Sequence, residues 1–250
     1  MTSVPAHAIR LYRDGRRFRV VFAGKTLADS CEAVLLCEGK LHPVIYFPAE
    51  AVDQDLLQAT DHRSHCPFKG DARYWSITAG DVTAENAAWS YPDPLAEAAG
   101  IAGHIAFYWN AVDSVWHEEQ ELLAHPRNPF IRIDTLESQR RVDVRAGGEI
   151  LADSRRTVML FETGLPTRYY FPRIDVNMSA LVPSTTRSVC PYKGTASYFS
   201  ATLDGKTVAD IAWVYEAPFV EVALIKDHIC FYPERVDSIE VADRSDGEPL

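Results

Sequence analysis

No stretch of this 250-residue sequence is apolar for anything near the ~20 residues that span a bilayer. Lys and Arg are scarce: 25 of them face 35 Asp and Glu, a net charge of −10. The deficit holds in both halves, with 10 Lys+Arg against 17 Asp+Glu in residues 1–124 and 15 against 18 in the remainder. Neither half offers the basic surface that a phosphate backbone or an anionic membrane requires, so neither nucleic acid nor a membrane is expected as a partner. The five cysteines include no CxxC pair, which argues against a disulfide framework and a zinc knuckle. GxGxxG, P-loop, GxSxG and HExxH patterns are all missing, which sets aside the enzyme classes they mark. The opening MTSVPAHAIRLYRDG lacks a basic segment followed by an apolar core, so no targeting signal is expected and a reducing cytoplasm is the simplest setting.

What the chain does contain is a repeat. CPFKGDARYW begins at Cys66 and CPYKGTASYF at Cys190, 124 positions later. The same offset aligns ADS at 28–30 with 152–154, YFP at 46–48 with 170–172, HIAFY at 104–108 with HICFY at 228–232, and VDS at 112–114 with 236–238. About 40 of about 100 positions are identical without a gap. The chain therefore reads as a duplicated domain, with copy one over residues 8–116 and copy two over 129–241. The polar segment 117–128 between them reads as a linker with a short helix at EEQELLA. Two copies of this length mean tandem globular domains and not a solenoid.

Within each copy the pattern is mainly β. RFRVVF, AVLLCE, PVIYFP, ARYWSIT, AAWSY and HIAFYW are short, rich in β-branched and aromatic residues, and separated by turn residues. Only PLAEAAGIAG at 94–103 favours a helix. The expected fold is two tandem copies of a small antiparallel β-domain, a folded-over sheet forming a sandwich or an open barrel.

The combination of YFP, CP[FY]KG, AWxYxxP and HIxFY resembles a widespread bacterial family known as domain of unknown function 427, here in a two-copy form covering nearly the whole chain. The resemblance implies a small β-rich fold and no defined activity. A nucleotidyltransferase is not indicated: there is no Gly-Ser nucleotide loop with paired aspartates, and Asp53-Gln54-Asp55 becomes Asn177-Met178-Ser179 in copy two.

Alternate residues of a strand face opposite sides of its sheet. Ala72, Tyr74 and Ser76 recur as Ala196, Tyr198 and Ser200, while Arg73, Trp75 and Ile77 between them change. Val34, Leu36 and Glu38 recur as Val158, Leu160 and Glu162, while Leu35 and Cys37 change. One face is kept and the other drifts. The kept set is polar and aromatic as well as aliphatic, which points to a concave wall with directed hydrogen bonds. The alternative is a buried polar network that only fixes the fold.

The candidate ligand-binding residues are the pairs Glu38 and Glu162, Tyr46 and Tyr170, Arg63 and Arg187, Lys69 and Lys193, Tyr74 and Tyr198, Trp89 and Trp213, Tyr91 and Tyr215, and Tyr108 and Tyr232. Lys69 and Lys193 can hold a carboxylate or phosphate as a point charge. Arg63 and Arg187 can pair with the glutamates or with an anion. Candidate catalytic residues are Cys66 with His104 and Cys190 with His228: a lysine three positions on favours thiolate, and the histidine would act as base. Against this, a free cysteine is commonly a well-packed core residue. His62 and His65 would face opposite sides of a strand, so no metal site and no cofactor are assigned.

The leading expectation is a pocket for a small anionic or carbonyl-containing metabolite in each copy. Cys/His acyl transfer or hydrolysis and a structural or interaction module remain as alternatives. A homo-oligomer is compatible with the duplication, because two copies could face each other as a dimer of single domains would.

Overall fold

The computed structural model describes residues 8–203 and 205–242. The chain divides into two compact units between Pro129 and Phe130. No helix among the described residues is long and apolar enough to cross a membrane.

The first unit contains β1 (Ile9–Arg13), β2 (Phe18–Phe22), β3 (Lys25–Ser30), β4 (Val34–Glu38), β5 (Val44–Pro48), β6 (Leu57–Cys66), β7 (Gly70–Ala79), β8 (Val82–Ser90), β9 (His104–Phe107), β10 (Ser114–His117) and β11 (Gln120–Glu121). Seven of them form one sheet in the order β1-β4-β5-β9-β8-β7-β6, and the rest a second sheet in the order β11-β10-β2-β3. All the strand pairings are antiparallel. Between the sheets lies a core of Phe18, Val20 and Phe22 against Leu35, Phe47, Ile77 and Ile105. The expected sandwich is thus present, with no closed barrel among the described residues.

The large sheet is apolar on its other face too. There Val34, Leu36, Tyr46, Ala72, Tyr74 and Ala106 form a second buried cluster. Part of it is roofed by the 3₁₀ helix Ala96–Ile101, which buries Ala98 and Ile101. This is the segment expected as a helix; its buried residues at i and i+3 match the three-residue period of a short 3₁₀ helix. The uncovered part of the same face forms a cavity.

The second unit repeats the plan with β12 (Ile133–Ser138), β13 (Arg141–Ala146), β14 (Glu149–Ser154), β15 (Thr157–Glu162), β16 (Arg168–Phe171), β17 (Leu181–Cys190), β18 (Gly194–Leu203), β19 (Lys206–Val214), β20 (Ile229–Phe231) and β21 (Ser238–Ala242). Its large sheet runs β12-β15-β16-β20-β19-β18-β17 and its small sheet β14-β13-β21. Val142, Val144, Phe171, Phe199 and Phe231 fill the space between them.

The face of β7 and β18 that changes between the copies looks into the inter-sheet core. Trp75 and Ile77 of β7 pack there, as do Phe199 and Ala201 of β18. Such a core tolerates change when total volume is conserved, because the contacts are non-directional.

One expectation is corrected. EEQELLA does not form a helix: Gln120–Glu121 is β11, paired with β10 through Trp116–Glu121 and His117–Gln120. Glu118 takes φ +51° at the turn, and Leu122 packs against the inter-sheet core. Pairing with β10 outweighs a helical preference too short to nucleate alone.

Candidate functional site

The repeated decapeptide builds a lysine-bearing turn. After Cys66 the chain reverses, with the Lys69 amide donating to the Cys66 carbonyl at 3.2 Å. Gly70 follows at φ +98°, where a Cβ would come within 3.3 Å of the Asp93 carbonyl oxygen. The Leu95 amide then donates to the Lys69 carbonyl at 3.1 Å. Gly194 does the same at φ +103°, 3.2 Å from Ala217, and Phe219 donates to Lys193. The glycine is required because only it accepts this φ beside backbone.

The clamped turn aims its lysine across the sheet. Lys69 Nζ bonds Glu38 on β4, and both side chains are nearly buried. Lys193 Nζ bonds Glu162 Oε2 at 2.6 Å with side-chain exposures of 12% and 10%. Arg63 and Arg187 do not take this role. Both are exposed and donate to carbonyls of their own strands, Thr60 and His62 for Arg63, Ser184 and Thr186 for Arg187.

Aromatic residues complete the wall. The Trp89 indole donates to the Tyr46 hydroxyl at 3.2 Å, and Trp213 to Tyr170 at the same distance. Tyr108 lies 4.5 Å from Trp89 between ring centroids, and Tyr232 lies 4.4 Å from Trp213. Tyr74 meets Ser64 at 2.8 Å and Tyr198 meets Ser188 at 2.6 Å through their hydroxyls. Burial holds the phenols of Tyr46, Tyr91, Tyr170 and Tyr215 well above their ordinary range. Tyr232 is pushed up to about 12 by burial and then by its hydrogen bond with Tyr198. At neutral pH these are uncharged hydrogen-bonding groups.

The result is an open cavity of about 220 Å³ in the first unit, lined by Glu38, Tyr46, Lys69, Tyr74, Trp89, Tyr91 and Tyr108 together with Leu36, Leu41, His42 and Val44. In the second unit it measures about 320 Å³ and is lined by Glu162, Tyr170, Lys193, Tyr198, Trp213, Tyr215 and Tyr232, with Cys190, Arg168, Ser188, Leu160, Leu165 and Pro166. Seven of the eight expected ligand-binding pairs therefore converge; Arg63 and Arg187 do not.

The expected catalytic pairs do not assemble in the same way. Cys190 lines its cavity, and Cys66 is half-buried against the corresponding apolar cluster. His104 and His228 line neither cavity. Each donates from Nδ1 to a nearby carbonyl, Ala102 at 2.9 Å and Lys226 at 2.8 Å. All five cysteines are free. His62 packs edge-on to Tyr74 and His65 bonds Asp71, so the two face different neighbours. Ser76 and Ser200 are kept for another reason: their hydroxyls accept the amides of Asn86 and Asp210, bulge residues with positive φ.

Arg168 is the cavity residue that comparison of the copies misses, since its counterpart is Val44. A further apolar cavity of about 630 Å³ adjoins the first unit's site, sharing His42, Val44, Trp89 and Tyr108 and closed on one side by Leu123–Pro126. There His42 stacks on His125 with centroids 3.7 Å apart.

No curated protein matches the chain. A family model described as a domain of unknown function, DUF427, matches residues 10–118 and again 134–242. With each match spanning one set of sheets and its cavity, the chain belongs to the DUF427 family as a tandem pair of its domains.

Proposed function

We propose that each unit binds a small metabolite in its polar-aromatic cavity, with an anionic or carbonyl group of the ligand meeting the polar floor. The observation that carries this reading is the coincidence of two independent patterns: the sheet face kept in both copies is the face that lines an open cavity. Packing alone does not account for keeping Glu, Lys, Trp and four tyrosines there while inter-sheet positions such as Phe18, Leu35 and Ile77 change between the copies. The chemistry suits a flat ligand. Trp89, Trp213 and their tyrosine neighbours give the walls an aromatic surface, the neutral phenols donate or accept, and the Glu–Lys pair presents both charges at once. A pre-formed arrangement of this kind lowers the ordering cost of binding.

The test is a thermal-shift screen of small carboxylates, amides and keto compounds, followed by NMR of the indole N–H groups. A genuine ligand raises the melting temperature with concentration and moves the Trp89 or Trp213 signal. A screen in which stabilising compounds leave both signals unmoved refutes the reading. Cys190 on the cavity wall favours a second reading, thiol-based acyl transfer. Its base would have to be a group other than His228, and rapid labelling of Cys190 in native protein is the outcome that would support it.

A further inference from the structure

The two cavities differ in charge. In the first unit the Glu38–Lys69 pair neutralises itself and the position matching Arg168 is Val44. In the second unit Glu162 is already committed to Lys193, so Arg168 adds a positive charge to the wall. Its guanidinium carbon lies 5.7 Å from the Trp213 ring centroid. Its Nη1 is buried and has no hydrogen-bond partner, and no acidic residue among the described residues pairs with it. Arg168 is only partly buried, so the rest of its guanidinium stays open to an anion, for which no carboxylate among the described residues competes and which the Trp213 ring cannot replace.

We infer that the second unit's cavity is a receptor for a small aromatic carboxylate, with the carboxylate taken by Arg168 and the ring set against Trp213 and Tyr232. This rests on the reading of the cavities as binding sites and assigns their ligands to different classes. A planar guanidinium matches a carboxylate through two parallel N–H···O bonds, which a lysine point charge does not. The cavity, about 320 Å³, is at the small end of the range for ligand sites. Trp213 and Tyr232, their rings tilted 47° to each other, form an aromatic side of it. Val44 gives the first unit no such counter-charge, so its ligand is uncharged or carries its polarity toward the Glu38–Lys69 pair.

Trp213 is the only tryptophan after residue 124, the others being Trp75, Trp89, Trp109 and Trp116. Its indole N–H signal therefore reports the second unit within the full chain, once assigned with Trp213→Phe. Benzoate and its neutral isostere benzamide are titrated at low salt into the wild type, Arg168→Val and Arg168→Lys. Arg168→Val installs the residue that the same fold carries in the first unit, and its dispersed spectrum serves as the folding check. Benzoate is expected to shift the Trp213 signal and benzamide to do so far more weakly. Arg168→Val should weaken benzoate by roughly tenfold or more, and Arg168→Lys should restore part of the loss. Equal responses to benzoate and benzamide, unchanged by Arg168→Val, would overturn the inference and leave the binding reading standing. Inorganic phosphate moving Trp213 as strongly as benzoate would overturn the aromatic assignment. No movement of Trp213 or Trp89 with either probe counts against both.

Discussion

Replacing Lys193 by methionine leaves the Glu162 carboxylate in a nearly enclosed corner without its counter-ion. Removing one partner of a fully buried pair costs about 3–5 kcal/mol. Here the side chains keep 12% and 10% of their exposure and face an open cavity, so about 2–4 kcal/mol is expected after allowing for solvent screening. Glu162→Gln should cost less, about 1–2 kcal/mol, because a freed lysine can reach water through its flexible stem. The double variant removes both charges and should be more stable than the two losses summed, by about 1–3 kcal/mol. Urea unfolding followed at the Trp213 indole signal measures this unit by itself. With a slope of about 1.5 kcal/mol per molar for a unit of this size, Lys193→Met should lower the midpoint by about 1.3–2.7 M. If the singles each cost under about 1 kcal/mol and add without coupling, the pair behaves as a solvated surface ion pair. The account of a desolvated polar floor would then be wrong.

Gly70→Ala should destabilise the first unit by about 1–3 kcal/mol, since alanine at φ +98° is strained, and calorimetry should show the equivalent fall for Gly194→Ala. Tyr46→Phe removes the acceptor of the Trp89 indole and should cost about 1–2 kcal/mol in a urea midpoint measurement. Raising pH should weaken the fold: the unfolded chain loses phenolic protons from about pH 10, while buried Tyr46, Tyr91, Tyr170 and Tyr215 keep theirs. The folded state then binds more protons, so stability is fully present below pH 10 and falls above it; a melting temperature that stays level to pH 11.5 would contradict this. Burial pushes the Cys37 thiol up to about 11 and Cys230 higher. A disulfide reagent at pH 8 should therefore modify exposed Cys31 first and reach Cys230 only on unfolding, as mass spectrometry would show.

The duplication made most of the fold and much of the site legible before any coordinates. A strand's period of two turns a comparison of copies into a comparison of faces, and the kept faces of β4, β7 and β8 proved to be the cavity walls. What stayed hidden has physical reasons. Arg168 stands where the copies differ, so repetition carries no signal for it. Conversely, His104 and Arg63 recur without reaching the cavity, because a side chain that satisfies a nearby carbonyl is kept as readily as one that meets a ligand. β11 was unreadable from local propensity because its preference is set by β10, its partner in the sheet.

The arginines outside the cavity have a different significance. β6 and β17 are ten-residue strands at the rims of their sheets, and such rims invite a foreign strand. Midway along β6 the pairing jumps from Ala59–Trp75 to Arg63–Arg73, and β17 jumps from Pro183–Phe199 to Arg187–Ser197. At each irregularity the arginine folds back and occupies two carbonyls of its own rim strand, so those groups are already bonded. A chain carrying one such rim in each half is bifunctional. If both guards were lost, association would not stop at pairs of molecules but would propagate from chain to chain.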